Sequence, residues 1–173
     1  MHGNDVWDSM RAVDYLQTLD FVDGERIGMV GHPYGGHSTI FAAALEPRIK
    51  AAWANGPVFD FTHHGLHWAA PKGAGSSQSL PALGLYVVDL TRRIPVTSHE
   101  FTALVAPRPL AVGQAVGQRR PNEEENHAAV AFVYRVLNAG ERVKYVWYAG
   151  DHHFLPEARR AAVVWLSRWL LAP

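Results

Sequence analysis

The chain has 173 residues, a length that fits a single domain spanning residues 1–173. Hydrophobic residues make up 48% and charged residues 18%, so the composition supports a buried core and argues against disorder. Sixteen Lys and Arg balance sixteen Asp and Glu, which argues against a nucleic-acid partner because phosphate binding needs an excess of positive charge. The absence of cysteine excludes disulfides and cysteine-based zinc sites.

The hydrophobic residues are distributed in short runs. None approaches the roughly 20 consecutive apolar residues that a membrane-spanning helix needs, and the polar N-terminus is unlike a signal peptide. We therefore expect a cytoplasmic protein with no membrane partner, whose partner is a small-molecule substrate.

Apolar segments and helical periodicities alternate along the chain. Strands are predicted at 26–31, 49–54, 109–114 and 143–148. Helices are predicted at about 5–19, 38–45, 98–105, 123–138 and 156–171, with further helical segments near 63–70 and 80–90. Because strands alternate with helices, the pattern predicts an α/β fold: a four-stranded parallel sheet in sequence order, with helices on both faces.

Four segments carry a resemblance to a known family. The run Arg-Ile-Gly-Met-Val-Gly-His-Pro-Tyr-Gly-Gly at 26–36 resembles the strand–elbow–helix of α/β-hydrolases, whose signature is Gly-x-Ser-x-Gly. Segments 46–49, 106–110 and 145–154 also resemble the dienelactone hydrolase, acetyl xylan esterase and prolyl-oligopeptidase-like branches. The resemblance implies a truncated α/β-hydrolase, the C-terminal half only. In the family about four further strands precede this half, and nothing in this sequence replaces them.

Pro33 stands where the family keeps its nucleophilic serine. Proline has no hydroxyl and cannot attack a carbonyl carbon. The resemblance implies a strained elbow at positive φ, whereas proline is held near −65°. We therefore expect Pro33 at the first helical position, His32 in an extended conformation, and an ordinary strand-to-helix turn in place of the elbow.

The remaining triad positions are only partly present. His152 matches the family's catalytic histidine. Gln118 stands about where the triad carboxylate is expected, Glu123 is the nearest acid, and glutamine cannot stabilise an imidazolium as a carboxylate does. The catalytic candidate is therefore His152, and the residues predicted to line the cleft around it are His32, Tyr34, Asp151 and His153.

Ten histidines in one domain suggest a second reading of the cleft. His63, His64 and His67 follow the second strand, and His63 and His67 are four residues apart, a spacing that suits metal binding on a helix. Together with His152, which also follows a strand, they form a candidate site for zinc or another divalent metal. The alternative is that these histidines are polar loop residues around an empty cleft.

Three functions remain open at this point. The first is a hydrolase of ester-like substrates that uses no serine, with His152 activating water. The second is a zinc-dependent hydrolase of phosphoesters or lactones that uses the histidine cluster. The third is a catalytically inactive homologue with a binding or structural role.

The position of the first predicted strand in the sheet suggests how two copies of the chain could associate. In the family, the strand equivalent to Arg26–Gly31 lies in mid-sheet, so here it would be a bare edge beside apolar surface. A second copy related by a twofold axis could cover that edge. We therefore expect a homodimer through the Arg26–Gly31 edge strand.

Overall fold

The structure is a computed structural model that describes residues 2–57, 96–119 and 122–171. The strands in these ranges are β1 (Ile27–Gly31), β2 (Ile49–Asn55), β3 (Leu110–Ala115) and β4 (Val143–Tyr148). The α-helices are α1 (His2–Leu16), α2 (Tyr34–Leu45), α3 (Ser98–Ala103), α4 (Glu123–Val136) and α5 (Pro156–Leu170). Single turns of 3-10 helix follow β3 at Val116–Gln118 and precede β4 at Gly140–Arg142.

The four strands form one sheet in the order β1-β2-β3-β4, and every neighbouring pair is parallel. The register places Gly31 beside Ala54, Asn55 beside Gly113, and Ala115 beside Tyr148. The carboxyl ends of the strands therefore meet at one edge of the sheet. The predicted strand order and direction are confirmed, and each strand lies within one residue of its predicted bounds.

Helices cover both faces of the sheet, as predicted. The larger core includes Val13 of α1, Ile40 of α2 and Tyr134 of α4. On the opposite face Trp165 of α5 packs with Trp53 of β2 and donates a hydrogen bond from its indole N–H to the main-chain oxygen of Ala52, at 3.1 Å. All residues of β2 except Lys50 are buried, which is typical of a strand covered on both faces.

Two helix boundaries differ from the sequence prediction for identifiable reasons. Helix α2 begins at Tyr34, four residues before the predicted start, because Pro33 is already helical in conformation. Helix α4 ends at Val136 because Asn138 takes a left-handed φ of 54°, which a helix cannot continue through. The helical segments predicted near 63–70 and 80–90 lie outside the described residues.

No helix within the described ranges is long and apolar enough to cross a membrane.

Candidate active site

The turn between β1 and α2 is an ordinary strand-to-helix connection. Pro33 has φ −73° and ψ −41°, and it lies directly before the first helical residue, Tyr34. Its carbonyl oxygen accepts hydrogen bonds from the main-chain N–H groups of Gly36 and His37, at 3.0 and 3.3 Å. The turn is relaxed, as expected, but Pro33 lies at the capping position and not at the first helical position, where it was expected, because the helix begins one residue later, at Tyr34.

Two glycines of this turn are required by close packing. A side chain on Gly31 would place its Cβ 2.1 Å from the carbonyl oxygen of Gly35, and one on Gly36 would lie 2.6 Å from that of Asn55. Both distances are shorter than any real contact. Glycine at these positions therefore lets α2 begin close against the ends of β1 and β2.

His32 lies between β1 and Pro33 and is half-buried. Its ring centroid is 5.2 Å from that of His152 and 5.8 Å from that of Phe154. Burial lowers the pKa of His32; a hydrogen bond to the main chain of Asn55 opposes this effect, and the positive charges of His152, His153 and Arg159 add to it. Burial therefore favours the neutral form of the ring.

Asn55, the last residue of β2, connects the ends of three strands. Its side chain is fully buried, and its amide Nδ2 lies 2.9 Å from Nδ1 of His32 and 2.8 Å from the hydroxyl of Tyr148. The Tyr148 hydroxyl in turn donates to the main-chain oxygen of His153, at 3.3 Å. The buried amide thus links His32 after β1 to the loop that follows β4.

His152 is exposed in that loop, and Nδ1 of its ring is hydrogen-bonded to the side-chain amide of Gln118, at 2.5 Å. Gln118 ends the 3-10 turn that follows β3. The loop is held against this turn by a main-chain hydrogen bond from Gly117 to Gly150, at 3.0 Å. A Cβ on Gly117 would lie 2.6 Å from a carboxylate oxygen of Asp151, so the two loops approach closely.

The other residues predicted to line the cleft have separate placements. The Tyr34 hydroxyl donates to the carboxylate of Asp5 in α1, and burial followed by this hydrogen bond raises its pKa to about 12. Asp151 and His153 are exposed. Glu123, the nearest acid in sequence, is buried in the first turn of α4. Gln118 is the hydrogen-bond partner of the His152 ring within the described residues.

Of the four proposed metal ligands, His152 lies in the described part of the chain. His63, His64 and His67 lie outside it, so their relation to His152 stays a prediction. Within residues 2–57, 96–119 and 122–171, no group of three or more His, Asp or Glu side chains is arranged to hold a metal ion.

Sequence reasoning did not single out Asn55 or Tyr148. Each is a buried last residue of a parallel strand and carries a polar group at the edge where such sheets bind ligands. A polar residue at the end of a predicted parallel strand was the sequence signal that could have identified them.

Comparison with known proteins agrees with the fold. Residues 1–80 match the sequence model that describes the prolyl oligopeptidase family. The putative hydrolase YtaP of Bacillus subtilis (strain 168) is 29% identical over 173 residues, which cover 98% of this chain and 54% of that protein.

Solved structures show the same fold. A glucuronoyl esterase from Solibacter usitatus superposes with a TM-score of 0.73 at 24% identity, over 94% of this chain and 47% of that one. A glucuronoyl esterase of carbohydrate esterase family 15 from Caldicellulosiruptor kristjansonii gives 0.78 at 17% identity, over 96% and 49%.

The chain has the α/β-hydrolase fold. It spans about half the length of these relatives. In this α/β-hydrolase fold Pro33 stands at the position of the signature serine, and His152, in the loop after β4, contacts Gln118.

Proposed function

We propose that the chain hydrolyses carboxylic esters by a route that uses no serine, in which His152 activates the attacking water. The observation that carries the proposal is the placement of His152, which has Gln118 on its Nδ1 side and the ring of His32 5.2 Å away. Both histidines lie at the carboxyl edge of the sheet, where α/β folds bind ligands.

In the proposed reaction His152 acts as a general base and then as a general acid. Its Nε2 takes a proton from water as the water oxygen bonds to the ester carbonyl carbon. The tetrahedral intermediate then breaks its bond to the alcohol oxygen, and the departing alkoxide receives the same proton from the imidazolium. The products are the carboxylic acid and the alcohol, and no covalent enzyme intermediate forms. General catalysis of this kind contributes about 10²–10⁴-fold in other enzymes.

Gln118 supports this reaction less well than a carboxylate would. With its NH₂ group donating to Nδ1, as in this structure, the neutral His152 ring carries its proton on Nε2 and cannot accept another there. A half-turn of the amide presents the oxygen to an Nδ1–H and frees the Nε2 lone pair. Only the second arrangement leaves His152 able to act as a base. Because an amide can adopt both, only part of the molecules is active at a given time, and we expect slow turnover.

The structural relatives suggest the ester to test first. Two of them are named as glucuronoyl esterases. We therefore propose methyl esters of glucuronic acid, alongside p-nitrophenyl acetate as a general reporter, as substrates of the small-molecule class expected here.

The test is turnover of both esters by the purified chain in the presence and absence of EDTA. Turnover that is insensitive to EDTA supports the proposal. Loss of turnover in EDTA with recovery on adding zinc would instead select the metal-dependent route through His63, His64, His67 and His152. No turnover of these esters, of phosphotriesters or of lactones would leave the binding or structural role.

A further inference from the structure

His32 is held by a hydrogen-bond chain that fixes which ring nitrogen carries its proton. The Tyr148 hydroxyl uses its single proton toward the main-chain oxygen of His153, so in its 2.8 Å bond with Asn55 the amide must donate. The second proton of the same amide points to Nδ1 of His32, at 2.9 Å. Nδ1 is therefore an acceptor, and the proton of the neutral ring is on Nε2.

A competing contact would give the other tautomer. Nδ1 of His32 lies 3.3 Å from the main-chain oxygen of Asn55, and a bond there would need the proton on Nδ1. The amide contact is shorter by 0.4 Å, the difference between 3.3 and 2.9 Å, and lies at the usual length for such bonds. The tautomer with Nε2–H is therefore favoured.

We propose that His32 is a second catalytic residue, whose Nε2–H donates a hydrogen bond to the carbonyl oxygen of the ester. The inference rests on the function proposed above. When water activated by His152 attacks, the carbonyl π electrons move to oxygen, and His32 stabilises the resulting oxyanion. When the carbonyl reforms and the alcohol leaves, His32 keeps its proton throughout.

The surroundings of His32 suit this role. With Nδ1 occupied by the Asn55 amide, the ring donates through Nε2–H as a neutral imidazole and brings no second positive charge beside the imidazolium that forms on His152. Its orientation is fixed by a buried partner, which means that little reorganisation is needed as charge develops. Gly56, at φ 63°, leaves room for the ring in this position, since a Cβ there would lie 3.3 Å from Nδ1.

Two variants distinguish the hydrogen bond that His32 donates from the packing of its ring. His32→Phe keeps a ring of similar shape without a donor, and His32→Gln keeps an N–H donor without the ring. Because the bond strengthens in the transition state, we expect His32→Phe to lower kcat by about 10²-fold with little change in KM. We expect His32→Gln to stay within about tenfold of the parent. His99→Phe, at a histidine of α3 that the proposed reaction does not use, is the control.

An unchanged kcat in His32→Phe, or a raised KM with kcat unchanged, would overturn the inference. Urea unfolding of each variant checks that the fold is retained. A second measurement does not depend on turnover: calorimetric binding of monomethyl phenylphosphonate, an anion shaped like the tetrahedral intermediate. Binding that weakens in His32→Phe but not in His32→Gln supports the role of His32 as a hydrogen-bond donor. If no ester is hydrolysed, that absence of turnover overturns the proposed function and leaves the donor role supported by the binding data. Equal binding by all three proteins overturns the donor role.

Discussion

Gln118 lies against Nδ1 of His152, on the side where the resembled family places a carboxylate. The contact shows which part of a catalytic triad this site keeps and which part it lacks. The histidine is still oriented by a neighbouring loop, but its partner carries no charge. An imidazolium on His152 therefore receives no electrostatic stabilisation from this residue.

Restoring the charge should raise activity. In a serine protease triad, exchanging the carboxylate for an amide lowers kcat by about 10⁴. Since His152 is exposed here, we expect a smaller effect: Gln118→Glu should raise kcat for p-nitrophenyl acetate by roughly 10–100-fold. Gln17→Glu, an exposed position at the end of α1, controls for the added negative charge. A kcat that is equal in Gln118→Glu and the parent would show that the contact has no catalytic role.

Serine chemistry should be absent from this site. Pro33 offers no hydroxyl and already has φ −73°, so the turn does not present a side chain as an elbow would. We expect no labelling of the parent by a fluorophosphonate probe, and less than a twofold gain in kcat for Pro33→Ser, by analogy with triads that lack their carboxylate. Mass spectrometry of the probe-treated protein reads the first result. Stoichiometric labelling of Ser38, or a large gain in the variant, would contradict this prediction.

His127 should make the fold sensitive to acid. It is buried in α4, its ring stacks on Tyr145 at 3.7 Å, and burial lowers its pKa to about 4. The unfolded chain binds the proton near pH 6.5, so stability is present above that pH and is lost as pH falls toward 4. Between pH 7.5 and 4.5 we expect His127 to reduce the free energy of unfolding by about 2.5 kcal/mol.

The measurement is urea unfolding of the parent and of His127→Phe at both pH values. The phenylalanine ring can keep the stacking contact but does not titrate, so the parent should lose more stability than the variant. An equal loss in both proteins would show that other groups account for the acid sensitivity.

Self-association through β1 stays a prediction. Within the described residues β1 pairs only with β2, Val30 is 46% exposed, and an apolar pocket lined by Ala12, Leu16 and Met29 lies between α1 and β1. We expect light scattering to give twice the chain mass of 19.1 kDa, and Val30→Lys to shift the protein to the monomer. Val163→Lys, at an exposed position of α5, is the matched control. A monomer mass for the parent at micromolar concentration would refute the prediction.

The sequence was sufficient to predict the sheet but only part of the candidate site. Strands such as Ile49–Asn55 are apolar apart from Lys50 and the terminal Asn55, and their alternation with helices leaves few arrangements of a parallel sheet. Pro33 could be placed because its φ is fixed by its own ring. The contact of Gln118 with His152 depends on how the β3 and β4 loops meet, and no local pattern encodes that meeting. The tautomer of His32 depends on Asn55 and Tyr148, which come from two other strands.

The measurement that tests the central claim most directly is the kcat/KM of His152→Ala for p-nitrophenyl acetate in EDTA. Surface histidines can hydrolyse this ester slowly without a site, so His99→Ala, at a partly buried histidine of α3, is measured in parallel. If His152 is the general base, its removal should lower kcat/KM by about 100-fold or more, while His99→Ala stays at the parent value. Equal rates for the parent and both variants would contradict the account, because the observed hydrolysis would then not come from His152.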